Sequence, residues 1–543
     1  MPPSLQCIQN NYNNKSLDSF TPIQHIKTIS QNNSNQHDFY QNIIPSKILR
    51  EFCNINEIII KAANPVQEIQ IYTMTNGNKE NTDFSKHSEH FLKVISTEGD
   101  FLYIITPSSN EFTVYVKPAF LRTIHLNHII CTFKKEDCIQ KRIEDLKDLC
   151  SDEYHLTVID NGHTITPCTT DGITVIQSPN YGGTAGFTRG ILESLKTDCT
   201  HVLLNDDDAL IDQETIFRTI SLLKILSPEY YERVISGIIL DQNNPEIVFE
   251  AGGIIDRGTL RYLSSGIDIS TIEGIDSLFR NYRIDYSAWT FSCIPLDSFR
   301  KNGLPLPLTI WFDDVEYGLR THMKVITVPG ISAIHPRHDY ATRRRYYHGR
   351  NLMIALSTSD RLDSKAVNDI FEKISVEIAT YRYQFADEML KGIADYLKGP
   401  DYVFSNMKEG LRPEPNLKTG PLSELRNKLE PTDPPAARSY RKRLLSLNGL
   451  FLRPFGDIES AEFDMDTSHF YRIRTVLYHI DGKTGFIAER NTARTLSLTF
   501  RTVWLKLKTK MMIKKLKRTY REALPRYTSI EYWTNLLCKE EEK

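Results

Sequence analysis

The sequence predicts an α/β protein in which a largely parallel sheet lies between an N-terminal β-sandwich and a mainly helical C-terminal region. From Thr123 onward, runs typical of strands alternate with helical patterns, and such alternation is typical of a parallel sheet. Before that point, short β-branched and aromatic runs are separated by turn-forming residues, a pattern that favours an antiparallel sandwich. A third observation is a helical periodicity that continues to the C-terminus. We therefore expect three domains, at residues 1–122, 123–340 and 341–543, in keeping with the chain length.

Composition narrows the possible classes of function. The formal net charge is −2 over 543 residues, so a general nucleic-acid binder is not expected. Nine cysteines occur without a CxxC pair, which favours free thiols in a reducing compartment. Met1–Asp18 is polar and lacks the basic and apolar regions of a secretory signal. No apolar run reaches the roughly 20 residues needed to cross a bilayer. The expected location is cytoplasmic, with only peripheral membrane contact.

The N-terminal runs are exemplified by Glu57–Ile60, Glu68–Tyr72, Phe101–Ile105 and Phe112–Val116. Turns rich in Asn, Gly, Pro and Ser separate them, as expected for strands of a sandwich. No catalytic constellation is present in this part. The sequence leaves open whether it binds sugar or only packs against the rest.

Polar clusters follow several successive strands of the central domain. Strand-like runs end near Phe133, Asp160 and Gln177, and a fourth ends in three consecutive carboxylates. Ligands of open α/β sheets bind in the crevice beyond the carboxyl ends of the strands. The segments expected there are Thr132–Lys135, Asp160–Asn161, Asn180–Arg189 and Asp206–Asp208.

The three carboxylates close the run His201–Asp208. Side chains alternate along a strand, so Asp206 and Asp208 point to one side and Asp207 to the other. Converging carboxylates repel each other unless a cation lies between them, and hard oxygen ligands suit Mg²⁺ or Mn²⁺. The alternative is an acidic loop at the start of the following helix. Taken alone, the two interpretations are about equally good.

A glycine-rich loop, Asn180 to Gly190, precedes the acidic run and contains Gly182 and Gly183. Glycines allow a ligand to approach the backbone closely, and a helix N-terminus attracts anions. The loop lacks the Gly-Lys-Ser/Thr ending of a Walker loop and the GxGxxG spacing. By itself it is better explained as a structural turn.

Further along, the chain carries a second acidic cluster with Asp313, Asp314 and Glu316, and later His335. Alone, the acidic cluster is best explained as helix capping, and a single histidine is usually a satisfied polar group. Trp289 has a flat face suited to stacking on a sugar ring, although a core position is at least as good an explanation.

Together, these motifs resemble the family 2 glycosyltransferases with the GT-A fold. The order comprises strand–Thr-Phe, Asp-Asn-Gly, Asn-x-Gly-Gly, the acidic triplet, a Trp-containing loop, Asp-Asp-x-Glu-Tyr-Gly and the late His, within residues 125–352. More narrowly, the layout is similar to bacterial polymerising galactofuranosyltransferases, which carry a β-sandwich before the GT-A domain and a helical region after it. The segment Tyr346–Asn351 also resembles one that these enzymes carry after the late His.

The resemblance implies roles for individual residues. Asp206, Asp208 and His335 would hold Mn²⁺ or Mg²⁺ on the donor diphosphate, and Asp314 would be the catalytic base beside Asp313. Donor contacts would come from the first strand ends and the glycine loop, namely Thr132, Lys135, Asp160, Asn180, Gly182, Gly183 and Asp207. Contacts to the transferred or acceptor sugar would come from Trp289, Glu250 and Glu316. The family often has Thr-Phe-Asn-Arg where this chain has Thr132-Phe-Lys-Lys135, which keeps the charge but loses the guanidinium fork.

The resulting hypothesis is an inverting, metal-dependent transfer of galactofuranose from UDP-galactofuranose to a growing surface glycan. Rhamnosyltransferases with a dTDP-sugar donor share much of the motif set and remain an alternative. A nucleotidyltransferase would need an early Gly-rich loop with Arg and Lys, which Thr132–Lys135 does not supply. A glycan-binding scaffold would need a broken site, whereas the expected residues are present.

Near the C-terminus, Trp504–Arg518 is basic with interleaved apolar residues. Such a helix can lie on an anionic membrane surface, here the inner face of the plasma membrane, which suits a lipid-linked acceptor. A solvated helix face or a contact in a homo-oligomer is the alternative.

Overall fold

The computed structural model describes residues 20–27, 40–88, 92–106, 110–280, 283–336, 342–415, 417–430, 449–460, 471–480 and 482–538. The N-terminal segment Met1–Asp18, on which the expectation of no secretory signal depends, lies outside these residues.

Two antiparallel sheets and one helix form the N-terminal part. The first sheet has the order β1-β7-β2-β5 and the second β4-β3-β6. Their buried apolar side chains include Ile26, Ile58 and Phe101. These side chains belong to one hydrophobic cluster with Leu126 and Leu156, which lie further along the chain. The elements are β1 (Thr21–Lys27), α1 (Ser46–Cys53), β2 (Glu57–Ala62), β3 (Val66–Thr75), β4 (Asn78–Ser88), β5 (Leu92–Ser96), β6 (Phe101–Ile105) and β7 (Glu111–Val116).

A nine-stranded mixed sheet forms the centre of the molecule. Its order is β10-β11-β9-β8-β12-β17-β13-β14, with β18 paired to β13. The strands are β8 (Leu126–Thr132), β9 (Tyr154–Asp160), β10 (Cys168–Thr170), β11 (Ile173–Gln177), β12 (His201–Asp206), β13 (Val234–Asp241), β14 (Asn244–Glu250), β17 (Ser292–Pro295) and β18 (Val325–His335). Strands β8, β9, β11 and β12 are parallel, as the alternating pattern predicts. Strand β17 runs antiparallel between β12 and β13.

Helices connect these strands, as in other α/β sheets. They are α2 (Glu136–Leu146), α3 (Gly183–Ser194), α4 (Gln213–Ile225), α5 (Ile272–Ser277), α6 (Leu296–Asn302) and α7 (Asp313–Thr321), with a hairpin of β15 (Gly253–Asp256) and β16 (Thr259–Tyr262). The side chain of Asp212 caps α4 by accepting from the Thr215 amide. Because another aspartate caps this helix, the carboxylates of Asp206–Asp208 are left for another role.

The C-terminal part contains helices and a small sheet. The helices are α8 (Thr342–Thr358), α9 (Ser364–Ala379), α10 (Tyr383–Tyr396), α11 (Pro400–Ser405), α12 (Leu422–Arg426), α13 (Thr492–Tyr527) and α14 (Ile530–Leu537). The sheet has the order β19-β22-β21-β20, from β19 (Thr419–Pro421), β20 (Phe455–Ser460), β21 (Ile473–His479) and β22 (Thr484–Glu489).

This small sheet was not expected from the sequence. Its central strand β21 buries Ile473, Val476 and Tyr478 against the helices. Two hydroxyls fasten it there, since Tyr381 donates to the Ile473 carbonyl and Tyr478 donates to the Thr380 carbonyl. Tertiary packing therefore determines that these segments form strands, because they are too short to give a clear periodic signal in the sequence.

None of the described helices combines the length and apolar character that crossing a bilayer requires. The eight cysteines within the described ranges are free thiols.

Candidate active site

Parallel pairing brings the ends of three strands together. Thr132 at the end of β8 lies opposite Asp160 on β9, and Asp206 at the end of β12 lies opposite Cys131. The turn that follows β12 carries Asp207 and Asp208 on the same edge of the sheet. We call Asp206, Asp207, Asp208 and His335 the strand-end cluster.

His335 reaches this edge through β18. Ile334 and Leu210 exchange backbone hydrogen bonds of 2.8 and 2.9 Å, which hold the end of β18 beside the turn after β12. The His335 Nε2 atom lies 3.1 Å from Asp208 Oδ1 and 3.8 Å from Asp206 Oδ2. One ligand atom from each of Asp206, Asp208 and His335 lies within 4.8 Å of the others. Two carboxylates and an imidazole at this spacing form a donor set that fits Mn²⁺ or Mg²⁺.

Lys135 adds a positive charge to the strand-end cluster. Its Nζ atom lies 2.8 Å from Asp207 Oδ1 and 3.1 Å from Asp208 Oδ2. The Thr132 hydroxyl donates to the other Asp207 oxygen at 2.9 Å. Burial alone would lower the pKa values of Lys135 and His335, but contacts with Asp207 and Asp208 raise the Lys135 pKa, and Asp208 and Asp206 raise the His335 pKa. Burial, together with the charges of Asp208 and Asp207, raises the pKa of Asp206, whereas His335 lowers it.

The glycine loop leads into α3 beside this cluster. Gly182 has a φ of +90°, and a Cβ there would lie 2.2 Å from the Thr309 carbonyl oxygen, so a larger residue does not fit. A Cβ at Gly183 would meet only open space. The Asn180 side chain accepts from the Gly182 amide at 3.3 Å and shapes the turn. The open face of the loop at the N-terminus of α3 is suited to an anion.

The second group of carboxylates lies at the N-terminus of α7, and we call Asp313, Asp314 and the neighbouring Glu250 the helix-start cluster. Burial raises the pKa of Asp313 to about 6, although hydrogen bonds such as the one from the Thr184 hydroxyl, 2.8 Å long, lower it. Burial and the charges of Asp313 and Glu250 raise the pKa of Asp314. The Val315 amide donates a hydrogen bond to the Asp314 carboxylate at 2.7 Å.

Glu250 is 4% exposed, and burial raises its pKa to about 7. The Tyr286 hydroxyl lies close enough to lower this pKa, yet neither this hydroxyl nor Glu250 Oε1 has a hydrogen bond of normal geometry among the described residues. Carboxylates whose protons are held this tightly near neutral pH are suited to general acid–base chemistry. The two clusters face one another, since the charge of Asp206 also raises the pKa values of Asp313 and Asp314.

Two residues predicted as sugar contacts, Trp289 and Glu316, have buried side chains in this structure. Trp289 is 4% exposed and packs edge-on against Phe187 and Tyr317 at ring distances of 5.6 and 6.5 Å. Glu316 is fully buried, bonded to Arg320 at 2.7 Å and to the Thr358 hydroxyl at 3.0 Å. Each side chain stabilises the domain core.

Asp160 also has a local structural role. It is fully buried, and its carboxylate accepts hydrogen bonds from the backbone amides of Gly162, Thr164 and Ile165 at 2.6–2.8 Å. Its side chain holds the turn after β9 and offers no exposed surface for the expected contact with uridine.

Several residues near the site were missed by the sequence interpretation. Thr290 donates to Asp206 at 3.1 Å. The Arg344 guanidinium lies 5.5 Å from the ring centre of Trp311, which is partly exposed, and its charge lowers the pKa of His335. The Asn351 amide holds the loop before α7. The sequence features that could have indicated Arg344 and Asn351 were the Arg-rich run at 343–345 and the motif at 346–351. Neither feature specifies which residues these side chains contact.

The fold and site define an α/β protein with a candidate cation site and a separate carboxylate pair at one edge of its central sheet. In sequence, the chain is 25% identical over 414 residues to galactofuranosyltransferase GlfT2 of Mycolicibacterium smegmatis, covering 68% of this chain and 63% of that protein. It is 24% identical over 408 residues to the GlfT2 of Mycobacterium tuberculosis, covering 67% and 64% respectively. The expected resemblance to galactofuranosyltransferases is confirmed, and the chain spans less than two thirds of the length of these relatives.

No family model matches the chain. Among solved structures, similarity is found to the mannosyltransferase PcManGT from Pyrobaculum calidifontis in complex with GDP-Man and Mn²⁺, at 12% identity and a TM-score of 0.30, covering 51% of this chain and 76% of that one. Staphylococcus aureus TarS gives 13% identity and a TM-score of 0.30, covering 46% and 43%. These scores are too low to argue from.

Proposed function

We propose that the protein is a glycosyltransferase of the GT-A type that moves galactofuranose from UDP-galactofuranose to a growing glycan with inversion at the anomeric carbon. The observation that carries this proposal is the pairing of two carboxylate clusters with different charged neighbours. Lys135 and His335 lie against the strand-end cluster, whereas burial and neighbouring carboxylates raise the pKa values of Asp313 and Asp314 in the helix-start cluster. Sequence similarity to galactofuranosyltransferases over 414 residues supports the sugar assignment.

In this proposal, Asp206, Asp208 and His335 hold Mn²⁺ or Mg²⁺. When bound, such an ion neutralises the negative charge that builds on a departing diphosphate. Asp207 would not be a ligand, because its carboxylate anchors Thr132 and Lys135. These three residues fix the wall of the donor pocket next to the metal ligands.

The donor diphosphate would lie against the open face of Gly183 and the N-terminus of α3, where backbone amides favour anions. Arg344 adds a positive charge on the side of His335. The position of Gly182 under the Thr309 carbonyl keeps the loop close to the helix-start cluster. In this proposal, the anomeric carbon lies between the two clusters.

Asp314 is the proposed catalytic base, with Asp313 beside it. The acceptor hydroxyl oxygen attacks the anomeric carbon, its proton passes to the Asp314 carboxylate, and the bond from the anomeric carbon to the diphosphate oxygen breaks. One displacement of this kind inverts the configuration and requires no protein nucleophile. The raised pKa of Asp314 supports the role because a base works best when its pKa approaches the operating pH.

A donor panel tests this function. Release of nucleoside diphosphate from UDP-galactofuranose, UDP-galactopyranose and dTDP-rhamnose would be measured with Mn²⁺ and a short glycolipid acceptor. We expect turnover of the furanose donor, lost on adding EDTA. Turnover of dTDP-rhamnose alone would replace the sugar assignment with the rhamnosyltransferase alternative. No turnover of any donor would favour a non-catalytic glycan-binding scaffold.

An anionic membrane surface is the second proposed partner, and the solvent face of α13 supports it. Large apolar side chains are exposed at intervals of three or four residues, including Phe500, Leu507 and Met511 at 76%, 57% and 81%. The opposite face packs on the protein through Leu498, Leu505 and Leu516. The same solvent face continues as exposed cations at Lys514, Arg518 and Arg521. An apolar stripe followed by cations suits an acyl boundary beneath anionic headgroups.

Vesicle sedimentation of the full chain tests this contact. We expect binding to vesicles containing phosphatidylglycerol and weak binding to pure phosphatidylcholine. Replacing Phe500, Leu507 and Met511 by serine should remove binding to both kinds of vesicle. Lys514→Glu with Arg518→Glu should remove only the preference for the anionic vesicles. A concentration-dependent increase in mass by light scattering, lost in the serine variant and without vesicle binding, would assign the face to a homo-oligomer.

A further inference from the structure

The loop from Leu308 to Phe312, directly before α7, has an unfavourable backbone. Thr309, Trp311 and Phe312 have φ angles of 74°, 63° and 69°. Side chains with a Cβ rarely adopt this left-handed region, and bulky residues there are outliers. Three such residues within four positions persist only if the surroundings hold them in place.

Two neighbouring residues of α8 supply that hold. The Asn351 Nδ2 atom lies 3.1 Å from the Leu308 carbonyl oxygen, 2.9 Å from that of Ile310 and 2.8 Å from that of Trp311. Arg350 donates to the Leu308 carbonyl at 2.7 Å. Asn351 is fully buried, so its amide is shielded from water.

The orientation of the Asn351 amide is fixed by its other end. Arg350 Nε donates to Asn351 Oδ1 at 2.8 Å. An oxygen must therefore occupy that position, because a guanidinium has no acceptor, and the NH₂ group must face the loop. The two residues act together as a clamp on the backbone, which we call the 350–351 clamp.

The remaining carbonyls of the loop connect it to both halves of the site. The Thr309 carbonyl accepts from the Thr184 amide at 3.2 Å and lies directly above Gly182 of the glycine loop. The Phe312 carbonyl accepts from the Glu316 amide at 2.8 Å and starts α7. A single strained segment thus joins the donor side to Asp313 and Asp314.

We propose that Asn351 is a positioning residue that sets the distance between the glycine loop and the Asp313–Asp314 pair. This proposal rests on the proposed transferase function and extends it to a residue that touches neither donor nor acceptor. Without the amide, the Ile310 and Trp311 carbonyls lose this donor and the left-handed residues lose their support. The loop then relaxes, and Asp314 leaves the line of attack.

Asn351→Ala and the isosteric Asn351→Asp test the proposal, with Ser357→Ala as a matched control. Ser357 is also fully buried on α8 and donates to the Met353 carbonyl, away from the loop. We expect kcat to fall about a hundredfold in both Asn351 variants, since a misplacement near 1 Å can cost that much. Affinity for UDP in the presence of Mn²⁺ should change far less. Ser357→Ala should lower Tm without changing kcat.

Hydrogen exchange provides a readout that does not depend on activity. Peptides covering residues 306–317 should exchange faster in the Asn351 variants, whereas peptides from α10 should not. If either variant does not fold, the milder Arg350→Lys, which keeps one donor for Leu308, should give the same pattern at smaller amplitude. Full kcat in a folded Asn351 variant, or unchanged exchange of the loop, would overturn the proposal. An inactive wild type with faster loop exchange in the variants would instead overturn the transferase function.

Discussion

The strand-end cluster and the helix-start cluster occupy the same edge of the sheet, yet their charges are handled differently. Asp207 and Asp208 face Lys135, and Asp208 also contacts His335. Asp313 and Asp314 face each other and Glu250, and within the described ranges none of these three carboxylates forms an ion pair with a cation. Burial raises the pKa of Asp206 as well, but His335 lowers it, whereas Asp313 and Asp314 have only other carboxylates as charged neighbours.

This difference separates two chemical roles that the sequence alone does not separate. Both clusters are short acidic runs at the start of a helical segment, and either one could be a helix cap. Carboxylates that converge beside an imidazole are suited to hold a cation. Carboxylates with raised pKa values are suited to accept a proton near neutral pH. The neighbours of each carboxylate decide its role.

The largest expected effect is on the helix-start cluster. Asp314→Asn should lower kcat about a thousandfold, because general bases contribute on that scale, with little change in affinity for UDP and Mn²⁺. Release of nucleoside diphosphate under saturating donor measures it. Asp297→Asn is the control, since this carboxylate is exposed and paired with Arg300. Retention of the full rate in Asp314→Asn would show that the base lies elsewhere.

Glu316 is the exception within the same helix, because it has a cationic partner. Glu316→Gln should lower the free energy of unfolding by about 3 kcal/mol, since it leaves the Arg320 charge buried without its partner. Denaturant melts measure this loss. At a temperature where the variant is folded, kcat should equal that of the wild type. A selective loss of acceptor affinity would restore Glu316 as a sugar contact.

Removal of one carboxylate from the strand-end cluster should weaken cation binding and leave the catalytic base unchanged. Asp208→Asn should lower Mn²⁺ affinity by more than the roughly 10- to 100-fold that loss of an outer partner of a metal ligand costs. Titration calorimetry with Mn²⁺ alone measures it, and Asp297→Asn again serves as the control. Equal Mn²⁺ affinity in Asp208→Asn and wild type would contradict the assigned ligand set.

The smallest expected effect is a change in pH dependence. Burial raises the Glu250 pKa from 4.5 to about 7, so the folded protein binds this proton more tightly than the unfolded chain does. Stability contributed by this group is therefore present at pH 4 and is lost as the pH rises towards 7 and above. Glu250→Gln should be more stable than wild type at pH 8, on the order of 2 kcal/mol, and show a smaller advantage at pH 5.

Thermal melts in EDTA at the two pH values measure this effect. Because the Glu250 charge also raises the pKa of Asp314, the acid limb of kcat/KM should move to lower pH in Glu250→Gln. An advantage that is the same at both pH values, together with an unmoved limb, would mean that folding does not raise the Glu250 pKa above its unfolded value.

Much of the site could be predicted because its residues follow strands directly. Asp206 and Asp208 come at the end of an apolar run, and parallel strands align their carboxyl ends whatever the intervening helices contain. His335 required the resemblance to a family, since 126 residues or more separate it from the carboxylates. The burial of Trp289 and Glu316 could not be predicted, because a residue type suited to sugar contact says nothing about which way the side chain points.

The sequence by itself determined the alternation of strands and helices, the order of the acidic runs and the basic, apolar helix near the C-terminus, because these depend on local periodicity and spacing. Tertiary structure alone decided which carboxylates meet a cation, which are left to bind protons, and how Asn351 reaches the loop before Asp313. The physical reason is that a pKa and a buried hydrogen bond depend on neighbours far apart in the chain, which no local pattern records.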